Sequence, residues 1–240
     1  MHGLLDRDQL YVTVDVLILT IRDGKLTLLL SRRPDAPFAG RWALPGRFVG
    51  LEESAETAAE KLLEEMLPVE GAFLEQLYTF TGIGRDPRGR VISAAYLVIV
   101  PQIRLDAVPA EKSAAFRRFV PELTDEGLRL TGEDGSVLTG GDLAFDHGGM
   151  IETGVKRLRG KIDYTDVGFR FLNDLSAFSL GELQTVFEAV LGKKLDGSNF
   201  RRFIRSRYEE TGRLEPVDRE EKQKRGRPAV LYRLKGEGQP

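Results

Sequence analysis

The sequence predicts an α+β protein built of two parts. Alternating, β-branched runs in the first hundred residues flank a single strongly amphipathic helix. The length of 240 residues suits two domains better than one, at roughly 100–200 residues per domain. The last forty-odd residues join a short helix, greasy on one side and arginine-rich on the other, to a basic loop that feeds a strand. The front part, residues 1–155, is expected to be a mixed-sheet α/β/α sandwich. The back part, residues 156–240, is expected to be a winged helix-turn-helix.

Composition narrows the class. With 41% apolar and 30% charged residues the chain is ordinary globular material. Its longest greasy stretch, Val12 to Ile21, is interrupted by Thr13, Asp15 and Thr20, so neither a membrane span nor a signal peptide is expected and a cytoplasmic location is. Cysteine is absent, and His2 and His147 are the only imidazoles, so disulfides and a zinc site are not expected; no cofactor is expected either. Lys193 to Lys235 holds fourteen Lys and Arg against seven Asp and Glu, a net of +7, which leaves −9 for the remainder of a chain whose total is −2. A basic tail on an acidic body points to a polyanion partner for the tail.

Taken in order, Tyr11 to Thr20 and Leu26 to Arg33 read as strands, and the Asp23-Gly24 pair between them is a hairpin signal. Pro34 to Gly40 is loop, and Arg41 to Gly46 is a short extended piece. Ser54 caps a helix to about Met66, in which Ala55, Ala58, Ala59, Leu62 and Met66 share one face, and Pro68 ends it. Strands near Gln76–Gly84 and Val91–Val100 are joined by an Arg-Asp-Pro-Arg-Gly-Arg loop. Ala114 to Val120 reads as a short helix, and a further hairpin spans Leu128 to Thr139.

Pro37-Phe-Ala-Gly-Arg-Trp-Ala-Leu-Pro-Gly-Arg-Phe-Val, followed by Ala58-Ala-Glu-Lys-Leu-Leu-Glu-Glu, resembles the Nudix box. The resemblance implies a Nudix-like sandwich whose helix glutamates hold a divalent cation during hydrolysis of nucleoside diphosphate derivatives. Carboxylates at i, i+3 and i+4 share one helical stripe and suit a hard cation. This copy departs from the motif. Counted from Gly46, Glu52, Glu64 and Glu65 fall in place, but Glu60-Lys61 stands where the motif has Arg-Glu, and Leu67 replaces its last glycine. A frame counted from Arg47 loses the same carboxylate. Lys61, three and four residues before Glu64 and Glu65, is expected to pair with them in place of a metal, and the protein is expected not to be an enzyme. Glu53, Glu56, Glu60 and Glu64 form a second acidic stripe, read as a solvated face.

A helix is expected from Ala144 to about Arg159, across the join of the two parts. Ser179-Leu-Gly-Glu is a capping box ahead of an apolar stripe from Leu180 to Leu191. In the next helix Phe200, Phe203, Ile204 and the stem of Arg207 fall on one side. Ser198, Arg201, Arg202 and Arg205 fall on the other, with Asn199 beside them. Such a helix can read guanine or clamp phosphates. Leu214–Val217 and Ala229–Leu234 are the wing strands, with Asp218 to Pro228 as the tip. Within it Arg225-Gly-Arg-Pro resembles an AT-hook core, which suits a narrow minor groove, and Lys224, Arg225, Gly226 and Arg227 are expected DNA contacts.

End to end, the chain resembles the Nudix-related transcriptional regulators of the NrtR type. Phe38 to Gly46, Ala144-Phe-Asp-His, Leu158-Arg-Gly-Lys-Ile-Asp-Tyr, Asn199-Phe-Arg-Arg and Arg227-Pro-Ala-Val-Leu-Tyr-Arg carry the resemblance. It implies a homodimer whose winged domains bind a near-palindromic double-stranded operator. It also implies a Nudix-like domain that senses a small phosphorylated metabolite, with ADP-ribose in NAD metabolism as the typical case and sugar catabolism controlled by others. The segment from Gln102 to Asp142 departs from the family pattern. Arg33, Arg41 and Arg47 are the expected phosphate contacts, with Glu64 and Glu65 beside them. The competing expectation is an active Nudix hydrolase with an accessory nucleic-acid-binding tail; a third is a nucleic-acid module with a purely structural front domain.

Overall fold

A computed structural model describes residues 9–69, 71–221 and 229–235, leaving aside the side chains of 219–221. Its axis is β1 (Leu10–Arg22), parallel to β6 (Arg90–Ile99) on one side and antiparallel to β2 (Lys25–Arg32) on the other. The expected hairpin turn is present: Asp23 and Gly24 have φ of 50° and 70°. Positive φ at both central residues follows the right-handed twist of the flanking strands, and Asp-Gly adopts it at little cost. β5 (Phe73–Phe80) borders β6. β7 (Phe116–Thr124), β8 (Gly127–Gly132) and β9 (Val137–Thr139) extend the sheet beyond β2. Two short strands, β3 (Trp42–Ala43) and β4 (Gly46–Phe48), pair with β2 and β1.

Alternation along β1 divides the interior into two cores. Val14, Val16 and Ile18 pack with Ala58, Ala59, Leu62 and Leu63 of helix α1 (Ala55–Met66). Leu17 and Leu19 pack with Met150, Ile151, Val155 and Leu158 of a later helix, which spans His147–Lys161. Because successive strand residues face opposite ways, Asp15 lies on the same side as Leu17. Ser54 caps α1 as expected, its Oγ accepting from the Thr57 N–H at 3.0 Å.

Two short helices, α2 (Gln102–Asp106) and α3 (Ala110–Ser113), lead from β6 to β7. The helix expected over 114–120 is not formed; β7 occupies that stretch, with Phe116 opposite Ser31 and Phe119 opposite Leu28. The free edge of β2 offers a row of unpaired backbone groups, and satisfying them while burying both phenylalanines outweighs the local helical pattern. The hairpin expected nearby is present as β8 and β9.

The helix at His147–Lys161, α4, starts three residues later than expected from Ala144, because Phe145 has φ of 52°. Two glycines control how closely it packs. A Cβ on Gly148 would lie 2.7 Å from the Cα and 2.8 Å from the carbonyl oxygen of Gly140, whereas one on Gly149 would meet nothing within 4 Å. Gly148→Ala is therefore expected to cost about 1–3 kcal/mol of overpacking against rigid backbone. Gly149→Ala is expected to stabilise by roughly 0.5–1 kcal/mol through helix propensity alone. Urea unfolding of the two variants checks this, and shifts of the same sign would contradict the packing described.

The division expected between residues 155 and 156 falls inside α4. A 3-10 turn at Asp166–Phe171 leads to β10 (Phe178–Ser179), α5 (Leu180–Leu191) and α6 (Gly197–Ile204). A π turn over Arg205–Glu209 prolongs α6, and the hairpin β11 (Leu214–Glu221) and β12 (Ala229–Leu234) follows. Ser179 and Glu182 form the expected capping box, and Gly192, at φ of 69°, ends α5. Leu183, Phe187, Phe200, Ile204 and Tyr208 continue the core that begins under α4. β11 runs four residues past its expected end at Val217. The remainder of the expected tip, with Lys224, Arg225, Gly226 and Arg227, lies outside the described residues.

Candidate functional site

A cavity of about 190 Å³ opens where β1, β4, the loop between β5 and β6, and the start of α4 meet. Its floor is Asp15, a charge that alternation places inside the core. Four partners offset its loss of water. The Ser93 hydroxyl donates to Oδ2 at 2.5 Å, Thr13 approaches at 3.5 Å, and the Arg85 guanidinium lies 3.6 Å away. His147 is the fourth. The Leu44 N–H donates to its Nδ1 at 2.9 Å, so the proton sits on Nε2, which faces Asp15 Oδ1 at 3.5 Å. Burial pushes the Asp15 carboxyl up, but the His147 and Ser93 hydrogen bonds and the Arg85 charge outweigh it and hold the group below its ordinary range.

Four arginines line the cavity: Arg33, Arg47, Arg85 and Arg88. The Arg85 side chain is 5% exposed and forms a two-pronged pair with Asp146, at 3.0 Å from Nε and 2.8 Å from Nη2. Arg88 forms another with Asp86, at 3.0 and 2.7 Å. Burial raises the Asp86 carboxyl, yet the Arg88 bonds hold it low, and the same bonds hold Arg88 more firmly protonated. Arg33 donates to the Pro37 carbonyl at 2.9 Å and pairs with no carboxylate among the described residues. The left-handed backbone at Phe145 turns its ring into the cavity wall, with the Arg33 and Arg88 guanidinium carbons 4.6 and 5.6 Å from the ring centre. Phe48 lines the opposite side, 5.3 Å from Arg88. Guanidinium groups beside aromatic rings suit an anion that carries a planar ring.

The site residues expected from the sequence are dispersed. Arg33 and Arg47 line the cavity; Arg41 instead donates to the Gly141 and Leu143 carbonyls at 3.1 and 3.4 Å. Glu64 and Glu65 are exposed and do not line it, and Glu65 lies 3.6 Å from Arg47. Lys61 does not pair with Glu64 and Glu65 as expected. Its ammonium lies 3.0 Å from Glu53, which also accepts from the Gly50 N–H at 2.8 Å and lies 3.3 Å from Arg47. The loop before α1 folds Glu53 back over the helix, and this nearer, largely buried carboxylate wins over two solvated ones. The Gly50 N–H and Lys61 hold Glu53 below its ordinary range. Glu53 is thus occupied by two cations while Glu52 and Glu64 face solvent, and no group of three or more His, Asp or Glu among the described residues is placed to hold a metal ion. The residues present do not fit a divalent cation at the box helix.

Arg85, Arg88, Phe48, Phe145 and His147 were not singled out from the sequence as site residues. Two signals pointed their way: a charge at Asp15 inside an apolar strand, which needs partners, and three arginines in the six-residue loop from Arg85 to Arg90.

The second surface is α6. Asp196 caps it, accepting from the Asn199 N–H at 2.8 Å. Phe200 and Ile204 are buried, and Phe200 packs edge-on against Phe187 of α5 at 5.2 Å. Ser198, Asn199, Arg201, Arg202 and Arg205 are all exposed. Arg202 donates to the Asn199 side chain, and Arg205 lies 3.6 Å from Glu209. The turn ahead of α6 is held by Glu188, pulled down to about 2 by Lys194, Gln184 and the Leu195 N–H. Arg207 and Tyr208 do not face outward; they donate to the Tyr164 and Thr165 carbonyls beyond the end of α4.

Residues 168–234 match the family described as the NrtR DNA-binding winged helix domain, and residues 11–128 match the NUDIX domain. The ADPR responsive transcriptional repressor NtrR of Acinetobacter baylyi is 32% identical over 225 residues, which are 93% of this chain and 81% of that protein. Among solved structures, Shewanella oneidensis NrtR complexed with a 27mer DNA is similar at a TM-score of 0.70 and 31% identity, over 93% of each chain. A MutT/nudix family protein from Enterococcus faecalis is similar at a TM-score of 0.74 and 28% identity, over 96% of this chain and 90% of the other.

Proposed function

The chain belongs to the Nudix-related transcriptional regulators of the NrtR type, and from that premise we propose a DNA-binding repressor controlled by a small phosphorylated metabolite. The observation that carries the proposal is α6: a short helix anchored by Phe200 and Ile204 whose outer side is wholly polar and basic. Ser198, Asn199, Arg201, Arg202 and Arg205 are its operator contacts, joined by the wing residues Lys224 to Arg227. Residues 156–240 perform this work, and residues 1–155 do the sensing. Two copies bind together, so that paired winged domains meet a two-fold operator; light scattering giving the mass of one chain in the operator complex would refute that.

The effector is ADP-ribose or a close relative, bound in the arginine-lined cavity. Drug-sized ligands occupy roughly 300–1,000 Å³, so a space of about 190 Å³ holds the diphosphate and leaves part of the ligand at the mouth. Arg33 and Arg88 meet the phosphate oxygens, and Phe48 or Phe145 covers a ring. The box helix has lost hydrolysis: Lys61 and Arg47 occupy the carboxylate of Glu53, Glu65 lies beside Arg47, and Glu52 and Glu64 are exposed.

A thermal-shift and operator-binding panel with ADP-ribose tests these assignments. ADP-ribose at 100 times its dissociation constant is expected to add about 2.7 kcal/mol of stability, to change operator affinity, and to remain intact in the presence of magnesium. Arg88→Ala is expected to abolish the stabilisation. Brisk cleavage of ADP-ribose, or stabilisation that persists in Arg88→Ala, would overturn the sensor reading.

A further inference from the structure

Arg85 is held by two aspartates of unequal freedom, neither of them on the box helix. Asp15 is 9% exposed at its side chain and anchored by Ser93 and His147, whereas Asp146 is 31% exposed and its oxygens are held by Arg85 alone among the hydrogen bonds described. With His147 placing its single ring proton toward Asp15, two negative charges share one guanidinium. An anion entering the cavity therefore competes with Asp146, the partner that can leave into solvent at little cost.

Asp146 has another place to go. It is the residue immediately before α4, in the cap position, yet its side chain makes no capping hydrogen bond. The first N–H groups of a helix lack partners within it, and a carboxylate at the cap is among their preferred acceptors. The neighbouring residues Phe145 and His147 both line the cavity. The far end of the same helix is tied to the DNA-reading helices: Arg159 donates to the Val190 carbonyl in the last turn of α5 at 2.9 Å, and Arg207 and Tyr208 beyond α6 bind the carbonyls of Tyr164 and Thr165.

We propose that Arg85 and Asp146 form an effector-sensitive latch. In the free protein the pair holds the start of α4. A phosphate-bearing ligand takes the guanidinium, the Asp146 carboxylate swings onto the first N–H groups of α4, and the helix resets the pose of α5 and α6. The inference rests on the cavity being the effector site. A ligand shifts such an equilibrium only by its different affinity for the two states, and competition for one guanidinium supplies that difference.

Asp146→Asn is the direct test, because asparagine still caps a helix but no longer competes as an anion. Titration calorimetry with ADP-ribose, and in parallel with inorganic pyrophosphate, is expected to show binding several-fold tighter than in the wild type. Operator affinity without ligand should already match that of the ligand-bound wild type, and adding ADP-ribose should change it less than two-fold. Tighter binding joined to a lost response is what a merely structural Asp146 would not produce. Arg85→Lys keeps the charge but not the two-pronged geometry; it should lose the response as well, with weaker rather than tighter ligand binding. Should Asp146→Asn bind and respond as the wild type does, the latch is wrong while the sensor stands. Should neither ligand bind the wild type, the sensor reading fails and the latch fails with it.

Discussion

Arg202→Ala combined with Arg205→Ala is expected to abolish operator binding, the largest functional effect anticipated for any pair of surface residues. Both side chains are exposed on the outer side of α6, and their only described partners, Asn199 and Glu209, sit on the same or the following turn. Exposed helical ion pairs contribute about 0.3–0.5 kcal/mol, so folding is barely affected. Bidentate base contacts contribute roughly 1–3 kcal/mol each, and a dimer loses four arginines. Operator affinity should fall at least a thousandfold while the unfolding midpoint stays within a degree or two. Salt dependence gives an independent reading. With around four phosphates neutralised per subunit, the log–log slope for the wild type is roughly −7. A wild-type dimer whose operator affinity ignores salt would place the DNA face elsewhere.

Asp15→Ala is expected to have the largest effect on stability. The substitution removes the buried counter-charge of the Arg85 guanidinium, which keeps only the partly exposed Asp146, and leaves the Ser93 hydroxyl and the His147 ring without their acceptor. Breaking a buried charge pair by removing one partner costs about 3–5 kcal/mol, a large share of the 5–15 kcal/mol that holds a typical domain together. The pH dependence has a definite sign. The folded carboxyl of Asp15 is held below its unfolded value, so its stabilisation is complete above the ordinary carboxylate range and disappears as pH falls through the lower, folded value. Asp15→Asn should therefore differ most from the wild type near neutral pH, with the two curves converging in acid. Urea unfolding across that range is the measurement, and a gap that widens in acid would mean that Asp15 is protonated in the folded protein.

Much of the architecture was legible because it is local. The Asp23-Gly24 turn, the Ser54 cap, the Ser179–Glu182 capping box and the two-sided α6 each depend on residues within a few positions of one another. Segment 114–120 was misread because its neighbours along the chain favour one structure while β2, some ninety residues earlier, imposes another. The Lys61 pairing was misread for the same reason on a smaller scale: helical spacing nominated Glu64 and Glu65, but the preceding loop delivers Glu53.

The two-part organisation, the arginine-faced helix α6 and the altered Nudix-like box follow from periodicity, capping and charge along the chain, since each is written in contiguous residues that obey short-range geometry. The cavity follows from none of these. Thr13 and Asp15, Arg33, Leu44 to Phe48, Arg85 to Arg88, and Phe145 to His147 come from five separate stretches, brought together by the parallel pairing of β1 with β6 and by the late start of α4. Which arginine is taken up by a carbonyl, which by a neighbouring carboxylate and which is shared between two aspartates depends on distances of a few ångströms. Only the packed sheet and helix set those distances, because charge interactions inside a protein rise steeply as water is excluded.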